Sequence, residues 1–210
     1  MNIGIIGSGN MGCGLGDLWL NKGHRVMYSY SRDRQKLDVL AKSHQYASSG
    51  TPSEAVKSSD VILFSVKWDK VEDAIKAAGP MDGKIVIDCT NPLKADLSGL
   101  VIGYTTSAAE EIARMVPGAR VVKAFNTMFA EVYHSDSRRS GSRMLSMLYC
   151  GDDAEAKTAV SRLIGDVGLL PVDAGDLKCA RYLEPMAMLM VHLGYVQNMG
   201  TGIALDLVRR

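Results

Sequence analysis

Residues 2–12 read Asn2-Ile3-Gly4-Ile5-Ile6-Gly7-Ser8-Gly9-Asn10-Met11-Gly12, and this stretch decides the fold. The apolar run from Asn2 to Ile6 is too short for a helix and ends in glycines, which predicts a buried parallel strand. A helix is expected from about Asn10 to Asn21. It closes at Lys22-Gly23-His24, where Gly23 suits the left-handed residue just past a helix end. Between strand and helix, Gly7-Ser8-Gly9-Asn10-Met11-Gly12 matches G-x-G-x-x-G, and a strand before it with a helix after it is the context of a dinucleotide fingerprint. Gly7 permits the tight turn, Gly9 lets backbone approach a pyrophosphate, and Gly12 lets helix and strand pack closely. Backbone N–H groups across Ser8, Asn10 and Met11, at the positive end of the helix, are the expected phosphate ligands.

Outward from this loop, strands and helices alternate. Arg25 to Tyr30 is expected as a strand and Asp33 to Ser43 as a polar helix. Thr51-Pro52-Ser53-Glu54 opens a further helix with a cap candidate, a proline in the first turn and an acid near the positive end. Strands are predicted at Asp60–Val66, Lys84–Asp88 and Arg120–Phe125, with helices at Lys70–Ala78 and Ser107–Met115 between them. This order implies right-handed crossovers and a doubly wound parallel sheet, a Rossmann fold. His134 to Ser142 is polar and is the candidate mobile loop. Two more strands, Met144–Tyr149 and Leu169–Asp173, flank a helix from Asp153 to Ile164. The segment Leu177 to Leu193 is apolar around most of its circumference, which predicts a helix buried in the core or in a subunit interface. The expected division is a nucleotide-binding domain over 1–133 and a small βα extension over 143–210. The extension packs on the same sheet, ends in the apolar helix and offers a homodimer interface.

The end of the second strand selects the dinucleotide. An acid there would accept hydrogen bonds from the adenosine ribose of NAD, but the chain reads Tyr28-Ser-Tyr-Ser31-Arg32-Asp33-Arg34-Gln-Lys36. Ser31 and Arg32 suit a 2′-phosphate, with Arg34 or Lys36 as a further cation, and Asp33 falls one position late, as a helix cap would. NADP(H) is therefore expected over NAD(H). The other strand ends, Ser65-Val66-Lys67-Trp68, Thr90-Asn91-Pro92-Leu93 and Ala124, supply the nicotinamide half, since ligands in such sheets bind beyond the carboxyl ends of the strands. Trp68 reads equally well as core.

The chain has 210 residues and a formal charge of +1, which supports neither a nucleic acid nor an anionic membrane as partner. It shows no signal peptide and no apolar run long enough to span a bilayer, so a cytoplasmic protein is expected. Cys13, Cys89, Cys150 and Cys179 have no metal-ligand spacing and are expected as buried thiols. No metal site is expected. Neither Ser-His nor Cys-His pairs occur at the strand ends, so hydrolysis and acyl transfer find no nucleophile. His24 belongs to the far side of the sheet, His44 to a polar loop and His192 to the core of the last helix, leaving His134 as the one acid near the site. Hydride transfer between a nicotinamide and another redox ring needs little acid–base help, and no catalytic side chain is assigned. A slot of small residues and flexible methionines would serve it.

The residues resemble the NADPH-dependent reductases of the deazaflavin coenzyme F420, and the related NADPH- and FAD-binding domain of the six-transmembrane metalloreductases. The matching pieces are Gly7–Gly12, Ser31-Arg32, Trp68, Lys123-Ala-Phe-Asn-Thr127, Cys150-Gly-Asp152, Gly168 to Gly175 and Glu184-Pro185. Lys123-Ala-Phe-Asn-Thr127 looks more like the flavin-using branch. The resemblance implies nucleotide contacts from the glycine loop, Ser31-Arg32, Trp68 and Asn91 to Leu93. The expected activity is an oxidoreductase moving hydride between NADP(H) and a small-molecule acceptor, F420, FMN or FAD, held over Asn126, Thr127, Met128 and Phe129. Two other functions fit the sequence: an NADPH-binding sensor without turnover, and an imine or hydroxyacid reductase.

Overall fold

A computed structural model describes residues 1–134 and 138–208. Its elements in chain order begin with β1 (Asn2–Ile6), α1 (Asn10–Leu20), β2 (Arg25–Ser29), α2 (Arg34–Lys42), β3 (Ala47–Ser49), α3 (Pro52–Ser58) and β4 (Val61–Phe64). A short 3-10 turn, Trp68–Lys70, leads into α4 (Val71–Ala78), followed by β5 (Ile85–Asp88), α5 (Ala108–Met115) and β6 (Arg120–Lys123). The remainder is a small hairpin of β7 (Arg139–Ser140) and β8 (Arg143–Met144), then β9 (Ser146–Gly151), α6 (Ala154–Asp166), β10 (Leu170–Asp173) and α7 (Ala180–Val191). The chain continues from α7 as a π turn, His192–Val196.

Eight strands form one sheet in the order β10-β9-β6-β5-β4-β1-β2-β3. All neighbours are parallel except β6 and β9, which pair antiparallel through Val122 with Gly151 and Lys123 with Cys150. The expectation of a parallel sheet is corrected at this one seam. β9 and β10 run against the other strands, so their carboxyl ends lie at the opposite edge.

The alternating strand residues divide the core between the two faces. Ile3, Ile5, Val26, Tyr28, Leu63 and Ile87 pack with Leu15 and Trp19 of α1 and Val160, Leu163 and Ile164 of α6. Ile6, Ile62, Phe64, Val86 and Val121 pack on the other face with α3, α4, α5 and Leu183 of α7. The helix starts are fixed by side chains that accept the first free N–H groups. Asp33 Oδ1 accepts from Lys36 N, Thr51 and Glu54 form a reciprocal capping box, and Ser107 and Asp153 cap α5 and α6.

Several expectations shift. The strand expected through Phe125 ends at Lys123, and Phe125 has φ +63°. β3 was not foreseen, and the α4 region begins with the 3-10 turn over Trp68–Lys70. Of the polar stretch 134–142, residues 135–137 lie outside the described residues, and 139–144 form the β7–β8 hairpin. His192 is exposed at the start of the π turn, where Gln197 Nε2 donates to its Nε2, so it is not a core residue. Cys13, Cys89 and Cys150 are buried, but Cys179 is only half-buried. Among the described residues no helix is long and apolar enough to cross a membrane, and no group of acids, histidines and cysteines could hold a metal.

Candidate active site

The carboxyl ends of β1, β2 and β4 open into a cleft of about 630 Å³, lined by Gly7–Gly9, Tyr30–Asp33, Lys36, Val66, Lys67, Asp69 and Lys70. Its floor is the turn from β1 into α1. Gly7 has φ +109°, and a Cβ on it would stand 2.5 Å from the Ser65 carbonyl oxygen. On Gly12 a Cβ would come within 2.2 Å of the Gly7 carbonyl oxygen, so the turn closes against α1 only without side chains there. Ser65 Oγ donates to that Gly7 oxygen at 2.7 Å, and Ser8 Oγ donates to Ser29 O at 2.9 Å. These bonds hold the loop to both neighbouring strands. Gly9 differs: it precedes α1 with extended backbone, and a Cβ there would meet nothing within 4 Å. The space before it, at the N-terminus of an 11-residue helix, is open, and a helix N-terminus favours an anion.

One wall of the cleft is cationic. Arg32 is exposed and, among the described residues, has no carboxylate partner, while Lys36 is half-buried beside it. Asp33 lines the same cleft and accepts from Lys36 N as the cap of α2. Lys67 and Lys70 face them from the segment after β4, where Lys70 pairs with Asp69 at 3.4 Å. Tyr30 turns into the cleft with φ +54°, and burial pushes its hydroxyl pKa up. Cys13, just inside α1, is also pushed up by burial, partly offset by the nearby Lys36.

The other half of the edge, at β5 and β6, is closed and polar inside. Asp88, Lys123 and Glu184 are fully buried, with Lys123 Nζ 2.9 Å from Asp88 and 2.7 Å from Glu184. Burial works against the Lys123 ammonium, but the two carboxylates outweigh it and hold the lysine charged. Burial also pushes the Glu184 carboxyl up. Glu184 accepts from Ala108 N and Ala109 N, which caps α5 and ties α7 to it. Asp88 accepts from both N and Oγ1 of Thr90. Beyond the strand ends, Asn91 Nδ2 donates to Asn126 O, and Asn126 Nδ2 donates to Asn91 Oδ1 and to Leu183 O.

Of the residues expected at the site, Gly7, Ser8, Gly9, Ser31, Arg32, Lys36 and Val66 come together on the cleft wall. Asn10, Met11 and Gly12 follow directly in α1. Trp68 is half-buried against the α4–α5 face of the core and does not line the cleft. Thr90, Pro92 and Ala124 are buried, and Asn91 and Leu93 half-buried, at the β5–β6 half. Asn126, Thr127 and Met128 are buried, Met128 within the core beneath α1, so only the half-buried Phe129 reaches toward solvent. Phe129 packs edge-on against Tyr195 and touches the π turn at Gly194. His134 donates from Nε2 to Asn10 O at 2.9 Å, which holds it against the first turn of α1. The sequence reasoning missed Lys67 and Lys70 as cleft cations and missed the buried triad. A lysine in an apolar strand and a glutamate in an apolar helix were the available signals, since buried charges require partners.

Residues 2–92 match the family model described as NADP oxidoreductase, coenzyme F420-dependent. The chain is 31% identical over 186 residues to the rat (Rattus norvegicus) metalloreductase STEAP3, covering 89% of this chain but spanning only 36% of that relative. It is 28% identical over 229 residues to an F420-dependent NADP reductase of Methanothermobacter marburgensis, covering 97% of this chain and 98% of the other. A solved structure from Arthrobacter sp. FB24, assigned as an F420-dependent NADP-reductase, superposes with a TM-score of 0.86 at 26% identity over the whole of both chains.

Proposed function

We propose that the chain, which is similar to the coenzyme F420-dependent NADP oxidoreductases, exchanges hydride between NADP(H) and a flavin-type ring: F420, FMN or FAD. The observation that carries the NADP part is the cleft itself. It joins the open space at Gly9 to a wall carrying Arg32, Lys36 and Lys67, the chemistry of a pyrophosphate followed by a 2′-phosphate. When bound, NADP(H) supplies or takes up the hydride. The chain's own part is to bind and orient. The loop N–H groups hold the phosphates, Ser31, Arg32 and Lys36 hold the 2′-phosphate, and the ends of β5 and β6 shape the place of the nicotinamide. The acceptor lies over Asn126 to Phe129, with Phe129 as its outer wall. Ring-to-ring transfer needs stacking and exclusion of water more than a proton donor, which agrees with the burial of Asp88, Lys123 and Glu184 at the ends of β5 and β6, bonded to one another and sealed from solvent.

The expected homodimer also remains part of this proposal, supported by the exposed Tyr182, Leu189, Tyr195 and Val196 on α7 and the turn after it. Anaerobic stopped-flow mixing of NADPH with F420, FMN and FAD in turn tests the activity. Oxidation of NADPH by at least one of them is expected, and none by any of the three would overturn it.

A further inference from the structure

Among the described residues, Asn126 Oδ1 is a buried acceptor without a partner. Its orientation is fixed by the groups around it. The Nδ2 end already donates to Leu183 O, a backbone carbonyl, and to Asn91 Oδ1, while Asn91 in turn donates to the Asn126 backbone carbonyl. A flipped amide would set oxygen against two acceptors, so Oδ1 is the end left over. An amide oxygen accepts only, and a buried one without a donor costs stability. No surface of the atom is open to water in this conformation, so its donor has to arrive on a group that displaces the cover.

The place of this atom narrows the donor. Asn91 and Asn126 each stand three residues past the last residue of their strands, β5 and β6. The residue before Asn126, Phe125, is held at φ +63°, a strained turn for a side-chain-bearing residue and a frequent mark of functional sites. The strand order places β5 and β6 beside β4, on the side of the phosphate loop away from Arg32. From β2 to β6 is four strand spacings, roughly 19 Å. A dinucleotide with its 2′-phosphate at Arg32 and its pyrophosphate at Gly9 therefore carries its second ring toward Asn126. Of the chemical groups on that ring, the carboxamide is the one that brings N–H donors.

We infer that Asn126 Oδ1 accepts the carboxamide N–H of the nicotinamide, and that Asn91 and the Leu183 carbonyl are positioning groups that hold it turned for that contact. The inference rests on the NADP(H) reading of the cleft.

The test compares binding of NADP⁺, its 3-acetylpyridine analogue, which keeps the carbonyl but has no N–H, and 2′,5′-ADP, which has no nicotinamide. Calorimetry on the wild type is expected to show NADP⁺ binding about tenfold tighter than the analogue, the scale of one hydrogen bond of ~1.4 kcal/mol. In Asn126→Ala the two dinucleotides should bind alike while 2′,5′-ADP binds as before. Asn126→Ser serves if the alanine variant melts early, and the wild-type comparison needs no variant. Equal wild-type affinities for NADP⁺ and the analogue, or a preference that survives in Asn126→Ala, would overturn the inference and leave the cleft intact. A variant that loses affinity for the flavin or deazaflavin alone would also overturn it, assigning Oδ1 to the acceptor instead. Failure of all three nucleotides to bind the wild type would refute the cleft reading itself, and this inference with it.

Discussion

The two halves of the sheet's carboxyl edge use charge in opposite ways. At β1, β2 and β4 charged groups, among them Arg32, Lys67, and Lys70 with its partner Asp69, stand in water around an open cleft, and Arg32 makes no ion pair among the described residues. At β5 and β6 the charged groups, Asp88, Lys123 and Glu184, are sealed from water and bonded to one another. Exposed ions contribute little to folding and remain available to a ligand. Buried ions are costly to desolvate and tolerate no vacancy, so they hold neighbouring elements in one arrangement. On the proposed reading the first half recognises the dinucleotide, and the second positions the elements around it.

The largest expected effect falls on the second half. Lys123→Met leaves two carboxylates buried without a counter-charge and should cost about 3–5 kcal/mol of stability in denaturant unfolding. A cost below about 1 kcal/mol would mean that the triad is wet or mobile, and the contrast would collapse. Next comes Arg32→Ala, which should weaken NADPH binding by roughly 1.5–3 kcal/mol, the scale of a hydrogen bond to a charged group. Its unfolding free energy should stay within about 0.5 kcal/mol of the wild type. A variant that lost stability and kept NADPH would reverse the assignment of this half.

Two glycines sharpen the comparison inside the phosphate loop. Gly12→Ala forces a Cβ against the Gly7 carbonyl and should destabilise by about 1–3 kcal/mol. Gly9→Ala meets no protein atom, so its unfolding should shift by no more than about 0.5 kcal/mol while NADPH binding falls. Equal thermal shifts in the two would show that Gly9 is structural.

The smallest effect concerns pH. The Arg181 guanidinium, bonded through two nitrogens at 2.9 and 2.7 Å, holds the Glu110 carboxyl below its usual range against the opposing effect of burial, and Ser107 adds to the lowering. A depressed carboxyl contributes its stability in full above its unfolded pKa and loses it as pH falls through the folded value. Glu110→Gln should therefore remove about 1 kcal/mol at neutral pH and flatten the acid side of the stability curve. An unchanged slope below about pH 4.3, the usual glutamate value, would show that this pair contributes nothing.

Most of the recognising half was legible in the sequence because its signals are local. The glycine spacing, the apolar run before it, Gly23 past the helix end and Asp33 as a cap are each read within a few residues, and all appear in the fold. The positioning half was not legible as a unit. Asp88, Lys123 and Glu184 are separated by 35 and 61 positions, and only the sheet order and the packing of α7 bring them together. Lys67 and Lys70 likewise join Arg32 only across β1 and β4. Periodicity carries no strand direction, so the antiparallel β6–β9 seam could not be read from it. Ala47-Ser48-Ser49 has no apolar alternation and becomes a strand by pairing with β2.

The measurement that tests the account most directly is a paired titration of the wild-type protein with NADPH and NADH under identical salt. The cleft of Arg32, Lys36 and Lys67 predicts NADPH binding at least about tenfold tighter, since one charged hydrogen bond to the 2′-phosphate suffices for that ratio. Equal affinity, or tighter binding of NADH, would contradict it.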